Sequence, residues 1–247
     1  MGSTLSSVVF QPPVVPSYDA TKPPFDIRIP TGRDGETIPA FYITQRTATY
    51  VVIFSHGNAE DIGMIYDWLN HVSQRCNINI LAYEYTGYYQ RRNNISESSI
   101  YNDINAAYRY TRRILLVKNR HIILYGRSLG SCPTIHLGSK HSDIAGVILQ
   151  SPLLSIYRVA FPFRFSLIGD FFCNIDLVST LNVPTTIIHG TSDEIVPFWH
   201  GEELFNALNI TYRRKPLWIK SGGHNNLEAM LEGRFINHLM EFIRNLN

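Results

Sequence analysis

The spacing of apolar residues changes part-way along the chain. Phe25 to Ile29, Ile38 to Thr44 and Tyr50 to Ser55 are short runs of β-branched and aromatic residues. The turn-forming stretch Thr31-Gly32-Arg33-Asp34-Gly35 lies among them, so these runs predict strands. From there, strand-like runs at Ile78 to Tyr83, His121 to Tyr125, Gly146 to Gln150, Thr185 to His189 and Leu217 to Lys220 alternate with longer stretches. Asp61 to Arg75 carries Ile62, Ile65, Trp68, Leu69 and Val72 at helical spacing, and Ser98 to Leu116 repeats the pattern with Ile100, Ile104, Ala107 and Tyr108. A third helix is expected from Leu129. The last, Glu228 to Leu246, puts Met230, Leu231, Phe235, Leu239, Phe242 and Ile243 on one face. Strands followed by β-α alternation predict an α/β fold. Its central sheet has about eight mostly parallel strands, helices on both faces and an antiparallel edge.

A Pro-rich lead-in covers residues 1–24, and one domain is expected over 25–247. The alternation breaks once, at Ser151 to Leu181, where Phe161, Phe163, Phe165, Phe171 and Phe172 crowd among Pro162, Gly169 and Asp170. This insertion is read as a cap. Its aromatic residues have two readings, an apolar groove for a ligand or internal packing.

Composition narrows the function classes. With 45% hydrophobic and 17% charged residues the chain can bury a full core, and a formal charge of +2 with scattered basic residues gives no nucleic-acid footprint. Cys76, Cys132 and Cys173 have no paired spacing, so neither a disulfide framework nor a zinc site is expected, and a reduced cytosolic setting follows. No HExxH or similar ligand spacing occurs, and no metal or other cofactor is called for. Val8-Val9-Phe10 runs straight into Gln11-Pro12-Pro13, which does not suit a secretory signal, and no segment has the length of a membrane span. Met1-Gly2-Ser3-Thr4-Leu5-Ser6 fits the myristoylation pattern at Gly2; the alternative is an unmodified tail.

The chemistry centres on Gly126-Arg127-Ser128-Leu129-Gly130, which follows an apolar strand and precedes a helical pattern. That is the setting of a nucleophile elbow in the α/β-hydrolase fold. Gly126 and Gly130 are needed because side chains flanking so sharp a reversal would strike the neighbouring strand and helix. A serine hydroxyl needs a base, and this fold orders the partners Ser, then acid, then His. Of the nine histidines, His224 in the loop Ser221-Gly222-Gly223-His224-Asn225-Asn226 suits the base. His189 ends a strand and reads as a core residue, whereas His136 and His141 read as solvated. Asp193 is chosen as the acid because it is nearer the strand end than Glu194, which would face the opposite way. An oxyanion needs two backbone donors. These are assigned to the N–H of Leu129 and, from the loop His56-Gly57-Asn58-Ala59-Glu60-Asp61, the N–H of Asn58, with Ala59 as neighbour candidate; His56 reads as structural.

Several segments together resemble the membrane-associated α/β-hydrolase-domain-17 group of protein depalmitoylases. They are Phe54 to Gly63, Tyr85-Thr86-Gly87-Tyr88, Tyr125 to Gly130, Ser151-Pro152-Leu153-Leu154, Arg158-Val159-Ala160-Phe161-Pro162 and Gly223-His224-Asn225. The RVAFP stretch and Pro216-Leu217-Trp218 discriminate best, since they lie outside motifs shared by many hydrolases. The resemblance implies hydrolysis of acyl thioesters. Palmitate would be removed from S-acylated proteins at the cytoplasmic membrane face, with Ser128, Asp193 and His224 as the triad and Phe161, Phe163 and Phe165 as a possible acyl groove. A general carboxylesterase or lysophospholipase acting on lipid esters is the competing enzyme reading, and a non-catalytic adaptor is the other. Two departures stand out. The group carries an N-terminal cysteine cluster, whereas the first cysteine here is Cys76, so peripheral membrane contact would rest on Gly2 with help from Val8, Val9 and Phe10. Tyr89 also stands where the group has the last Gly of a Gly-Tyr-Gly turn.

Overall fold

The computed structural model describes residues 9–33, 35–89, 95–160, 169–230 and 232–246. The chain divides into two compact units, Met1–Ile122 and Ile123–Asn247, with the boundary at the first residue of the fifth strand.

In the first unit β1 (Ile27–Pro30) and β2 (Thr37–Ile43) form an antiparallel hairpin, with Ile29 opposite Ile38. β2 also runs antiparallel to β4 (Asn79–Tyr83), and β4 runs parallel to β3 (Val51–Ser55), giving the order β1-β2-β4-β3. β3 is buried along its whole length, as a strand covered on both faces must be. Between β3 and β4 lies α1 (Tyr66–Cys76), which buries Leu69 and Val72 and ends on Asn77 in the left-handed region, φ 51°. The helical spacing predicted a start at Asp61. It begins later because the Asp61 carboxylate accepts the N–H groups of Ser17 (2.7 Å) and Met64 (3.0 Å), which holds residues 62–65 in turns. α2 (Glu97–Arg113) opens on a reciprocal capping box between Ser96 and Ser99 and buries Ile100, Ile104 and Ala107.

The described part of the lead-in is docked on this unit rather than trailing from it. Phe10 and Ala20 are buried. The Tyr18 hydroxyl donates to Glu84 at 3.1 Å, and the Asn58 side chain takes both the Val9 carbonyl (2.7 Å) and the Gln11 N–H (3.1 Å). Tyr89 contributes too: its hydroxyl accepts the Ala20 N–H at 3.0 Å, while the turn before it closes through Gly87 at φ 87°. Gly2 and Val8 lie outside the described residues.

The second unit is wholly parallel. β5 (Ile122–Arg127), β6 (Gly146–Gln150), β7 (Thr185–Gly190) and β8 (Leu217–Ile219) are hydrogen-bonded in that order, and every residue of β6 and β7 is buried. α3 (Ser131–Gly138) follows a 3-10 turn over Ser128–Gly130, so the predicted helix starts with that tighter turn. Among the described residues the insertion holds two short helices, α4 (Ile156–Ala160) and α5 (Asn174–Val178). Phe161, Phe163 and Phe165 lie outside the described residues, while Phe172 is buried and Phe171 packs edge-on against Tyr157 at 5.8 Å. α6 (Trp199–Ala207) had no clear periodic signal in the sequence. At the C-terminus Leu227–Met230 (α7) and Glu232–Arg244 (α8) are helical, and Leu231 lies outside the described residues. α8 buries Phe235, Leu239, Phe242 and Ile243 as its spacing predicts, but Met230 is 41% exposed.

His136 and His141 are half-buried, not solvated. Burial, then the neighbouring Lys140 ammonium, pushes His136 down to about 4.

Candidate active site

β5 ends at Arg127, and the chain reverses at Ser128, which has φ 51° although it is not glycine. Such strain persists only where the surroundings over-determine it. Here a Cβ added to Gly126 would lie 2.3 Å from the Gly130 carbonyl oxygen and 2.6 Å from Thr134 Oγ1. The Ser131 hydroxyl donates to the Ser128 carbonyl at 2.7 Å, and Asn174 Nδ2 reaches Ser131 Oγ (3.4 Å) and the Leu153 carbonyl (2.7 Å). The insertion therefore buttresses the turn from below. Gly126→Ala should cost at least about 2 kcal/mol, the scale of an overpacked core, because backbone rather than a flexible side chain blocks the methyl. A denaturation midpoint equal to that of the parent protein would refute this.

Two loops carry the other members. Residues after β7 and after β8 are stitched together: Ser192 N–H donates to Gly222 O (2.9 Å), Thr191 N–H to Ile219 O (2.9 Å) and Ser221 N–H to Thr191 Oγ1 (2.9 Å). The contact is so close that a Cβ at Gly190 would stand 2.2 Å from the Gly222 carbonyl oxygen. On this frame His224 Nδ1 lies 2.8 Å from Asp193 Oδ2 and Nε2 lies 3.0 Å from Ser128 Oγ. All three residues are buried. A carboxylate only accepts, so the imidazole proton sits on Nδ1, and Nε2 offers its lone pair to the serine hydroxyl.

Asp193 is held by more than His224. Its Oδ1 accepts the N–H groups of Ile195 (3.0 Å) and Val196 (2.7 Å), and His189 Nε2 lies 3.2 Å from Oδ2. Burial raises the carboxyl, but the hydrogen bonds from His189 and His224 outweigh it and hold Asp193 below the usual carboxylate range. The group is thus an anion throughout the neutral range.

The arrangement can move a proton from Ser128 to His224 and hold the imidazolium against Asp193. The Leu129 N–H directly follows the serine, in the 3-10 turn. Asn58 belongs to the first unit, and its assignment as second donor rests on the sequence pattern. In that unit His56 is fully buried, with Nδ1 2.8 Å from the Gly57 carbonyl oxygen and Nε2 2.7 Å from Glu84 Oε1. It is structural, as read. Burial works against its protonation, but the Glu84 carboxylate wins and holds His56 above its ordinary value.

Sequence reasoning misplaced Glu194. Its carboxylate does not face away but turns back to accept the His224 N–H at 3.2 Å, and a Cβ at Gly223 would meet it at 2.7 Å. It also took His189 for a core residue only and gave Ser131 and Asn174 no part. The signal for Glu194 was present in the glycine at 223, which leaves room for an approaching side chain. A groove of about 360 Å³ between the start of β8 and α8, lined by Lys215, Trp218, Arg234 and Glu241 among others, includes none of these residues.

The family described as "Chlamydia CHLPS protein (DUF818)" matches residues 28–137. The alpha/beta hydrolase domain-containing protein 17B of Xenopus tropicalis is 37% identical over 214 residues, 86% of this chain and 73% of that protein. The chain belongs to the α/β-hydrolase-domain-17 family. Human protein 17C of the same family is 38% identical over 214 residues, again 86% of this chain but 64% of its own length. The fold is that of the α/β hydrolases: the Pyrococcus furiosus esterase Pf2001 superposes with a TM-score of 0.76 at 16% identity, covering 97% of this chain and 100% of the esterase. As an α/β-hydrolase-domain-17 family member, the chain is a hydrolase. Among the described residues, no cluster of His, Cys, Asp and Glu could hold a metal ion, and no helix is long and apolar enough to cross a membrane.

Proposed function

We propose that the protein is a serine hydrolase that cleaves acyl thioesters, removing palmitate from S-acylated proteins at a membrane surface. The observation that carries the hydrolytic part is the hydrogen-bonded chain from Ser128 Oγ through His224 to Asp193, at 3.0 and 2.8 Å. Ser128 attacks the acyl carbon as His224 Nε2 takes the hydroxyl proton. Asp193 stabilises the imidazolium, and the Leu129 N–H receives the oxyanion. As the tetrahedral intermediate collapses the C–S bond breaks, and the departing cysteine sulfur receives its proton from His224. A water molecule, deprotonated by the same imidazole, then attacks the acyl-enzyme and releases the fatty acid, restoring Ser128.

The thioester substrate is what the sequence resemblance implies, and membrane contact is supported by apolar exposure on the first unit. Val14 is 82% exposed, Val15 75% and Met64 58%. Gly63 packs directly against Ser17 and Tyr18, which brings Met64 beside the segment carrying the two valines. Gly2 acylation would add to this attachment, since a single myristoyl chain binds only marginally.

The deciding comparison is turnover of an S-palmitoyl peptide against the matching oxygen ester and short-chain esters. We expect kcat/KM for the thioester to exceed that for the short esters by at least about tenfold, a difference of about 1.4 kcal/mol in barrier. Equal or faster turnover of short esters would replace this reading with a general carboxylesterase.

A further inference from the structure

We propose that His189 is a positioning residue for the chemistry at Ser128, acting through Asp193; the inference rests on the serine-hydrolase reading. His189 is the penultimate residue of β7 and is completely buried. Its Nε2 lies 2.9 Å from the Val196 carbonyl oxygen, which can only accept, so Nε2 carries a proton. That same nitrogen is 3.2 Å from Asp193 Oδ2, the oxygen that also receives His224 Nδ1. Two imidazoles thus converge on one carboxylate oxygen while two backbone N–H groups occupy the other.

The far side of His189 shows why the ring is present. Nδ1 is buried with no hydrogen-bond partner, and a Cβ at Gly201 would sit 2.4 Å from it. An orphaned buried nitrogen carries a cost that an apolar side chain would avoid. What an apolar side chain cannot supply is the Nε2–H. The Nε2–H goes to the Val196 carbonyl, the Val196 N–H goes to Asp193 Oδ1, and the same ring nitrogen stands 3.2 Å from Oδ2, so the ring braces the carboxylate from one side. It fixes where Oδ2 stands and draws off part of its charge. His224 consequently meets a carboxylate that is correctly placed yet less basic than one with a single imidazole partner.

The titratable and charged groups around this pair are few. His200 faces His189 from α6, with Arg158 acting on His200 from α4. Glu194 holds the His224 N–H, and Arg127 and Glu228 lie beside the His224 loop, with Arg127 Nη2 3.3 Å from Asn225 Oδ1. None of these supplies Asp193 Oδ2 with a donor.

The test is the second-order rate of fluorophosphonate labelling at Ser128 as a function of pH, which requires no knowledge of the substrate. His189→Phe should lower the plateau rate about 10- to 100-fold, the scale of lost outer-shell donors. It should also move the acid limb to higher pH, because Asp193 without the polar ring beside Oδ2 favours the imidazolium more strongly. His189→Gln, which can return an N–H near the Nε2 position, should restore the rate to within about threefold. An unchanged profile in folded His189→Phe overturns the proposal. So does equal loss in both variants with an unmoved limb, the signature of packing alone. Nitrogen-15 spectra of the intact protein give a check independent of variant folding: His189 should hold its proton on Nε2 throughout the titration of His224, and a proton on Nδ1 overturns the assignment. Ser128→Ala in parallel separates the two levels. If labelling survives that change, the serine-hydrolase reading itself fails; if labelling is lost there but His189→Phe behaves as the parent, only the present inference does.

Discussion

Ser128→Ala is expected to give a folded protein that neither turns over acyl esters nor takes a fluorophosphonate label. The substitution removes one oxygen and leaves the backbone demand unchanged, because alanine and serine meet the same strain at φ 51°. Stability should stay within about 1.5 kcal/mol of the parent, the range of one hydrogen bond, here that to His224 Nε2. Activity should fall at least about 10⁴-fold, since what remains is oxyanion stabilisation and binding without a nucleophile. The label should map by mass spectrometry to the peptide containing Gly126 to Gly130 in the parent protein. Labelling at another serine, or turnover in the alanine variant within tenfold of the parent, would move the chemistry elsewhere.

Asp193→Asn is expected to cost nearly as much, for a reason visible in the hydrogen-bond directions. Oδ1 accepts two backbone N–H groups, so the amide oxygen of asparagine must stay there and its NH₂ must take the place of Oδ2. That NH₂ then faces His224 Nδ1, which has to become an acceptor, leaving the proton on Nε2 opposite Ser128. A base of that tautomer cannot accept the serine proton, and a loss of about 10⁴-fold in kcat follows. A loss below about tenfold, with the variant folded, would contradict the tautomer argument. The same substitution should alter acid unfolding. The Asp193 carboxyl is held below its ordinary value in the folded protein, so it adds stability that is present above about pH 4 and is lost as the pH falls through the folded value. In Asp193→Asn that contribution is missing at neutral pH, and the parent and variant should converge in stability as the solution is acidified. Curves that stay parallel down to acid would show that the ionised carboxylate contributes nothing.

Strand positions were legible because burial leaves a continuous mark. Gly146–Gln150 appears where its unbroken apolar run predicted, the runs around Val51 and Thr185 differ by one residue at one end, and that around Ile38 is displaced by one residue at both. Helix starts were less legible. α1 begins at Tyr66 rather than Asp61 because a distant residue, Ser17, occupies the Asp61 carboxylate. α6 carries no regular apolar stripe: its aromatic residues Trp199 and Phe205 are six apart, and Phe205 packs 5.7 Å from Trp218.

For the site, the sequence by itself determined which residue types occur in which order: a serine between two glycines after a strand, an acid after a later strand and a histidine in a glycine-rich loop. That order is local chemistry, set by what a sharp turn sterically allows, and it can be read one segment at a time. Direction and convergence were decided only by the tertiary structure. Whether Glu194 faces away or turns back on the His224 N–H depends on a loop 30 residues further along the chain. That the His189 ring stands against Asp193 depends on Val196 and Gly201 closing around it. A hydrogen bond has a direction and a range of about 3 Å, while sequence separation has neither; the residues that aim the chemistry therefore emerge only when the loops are brought together.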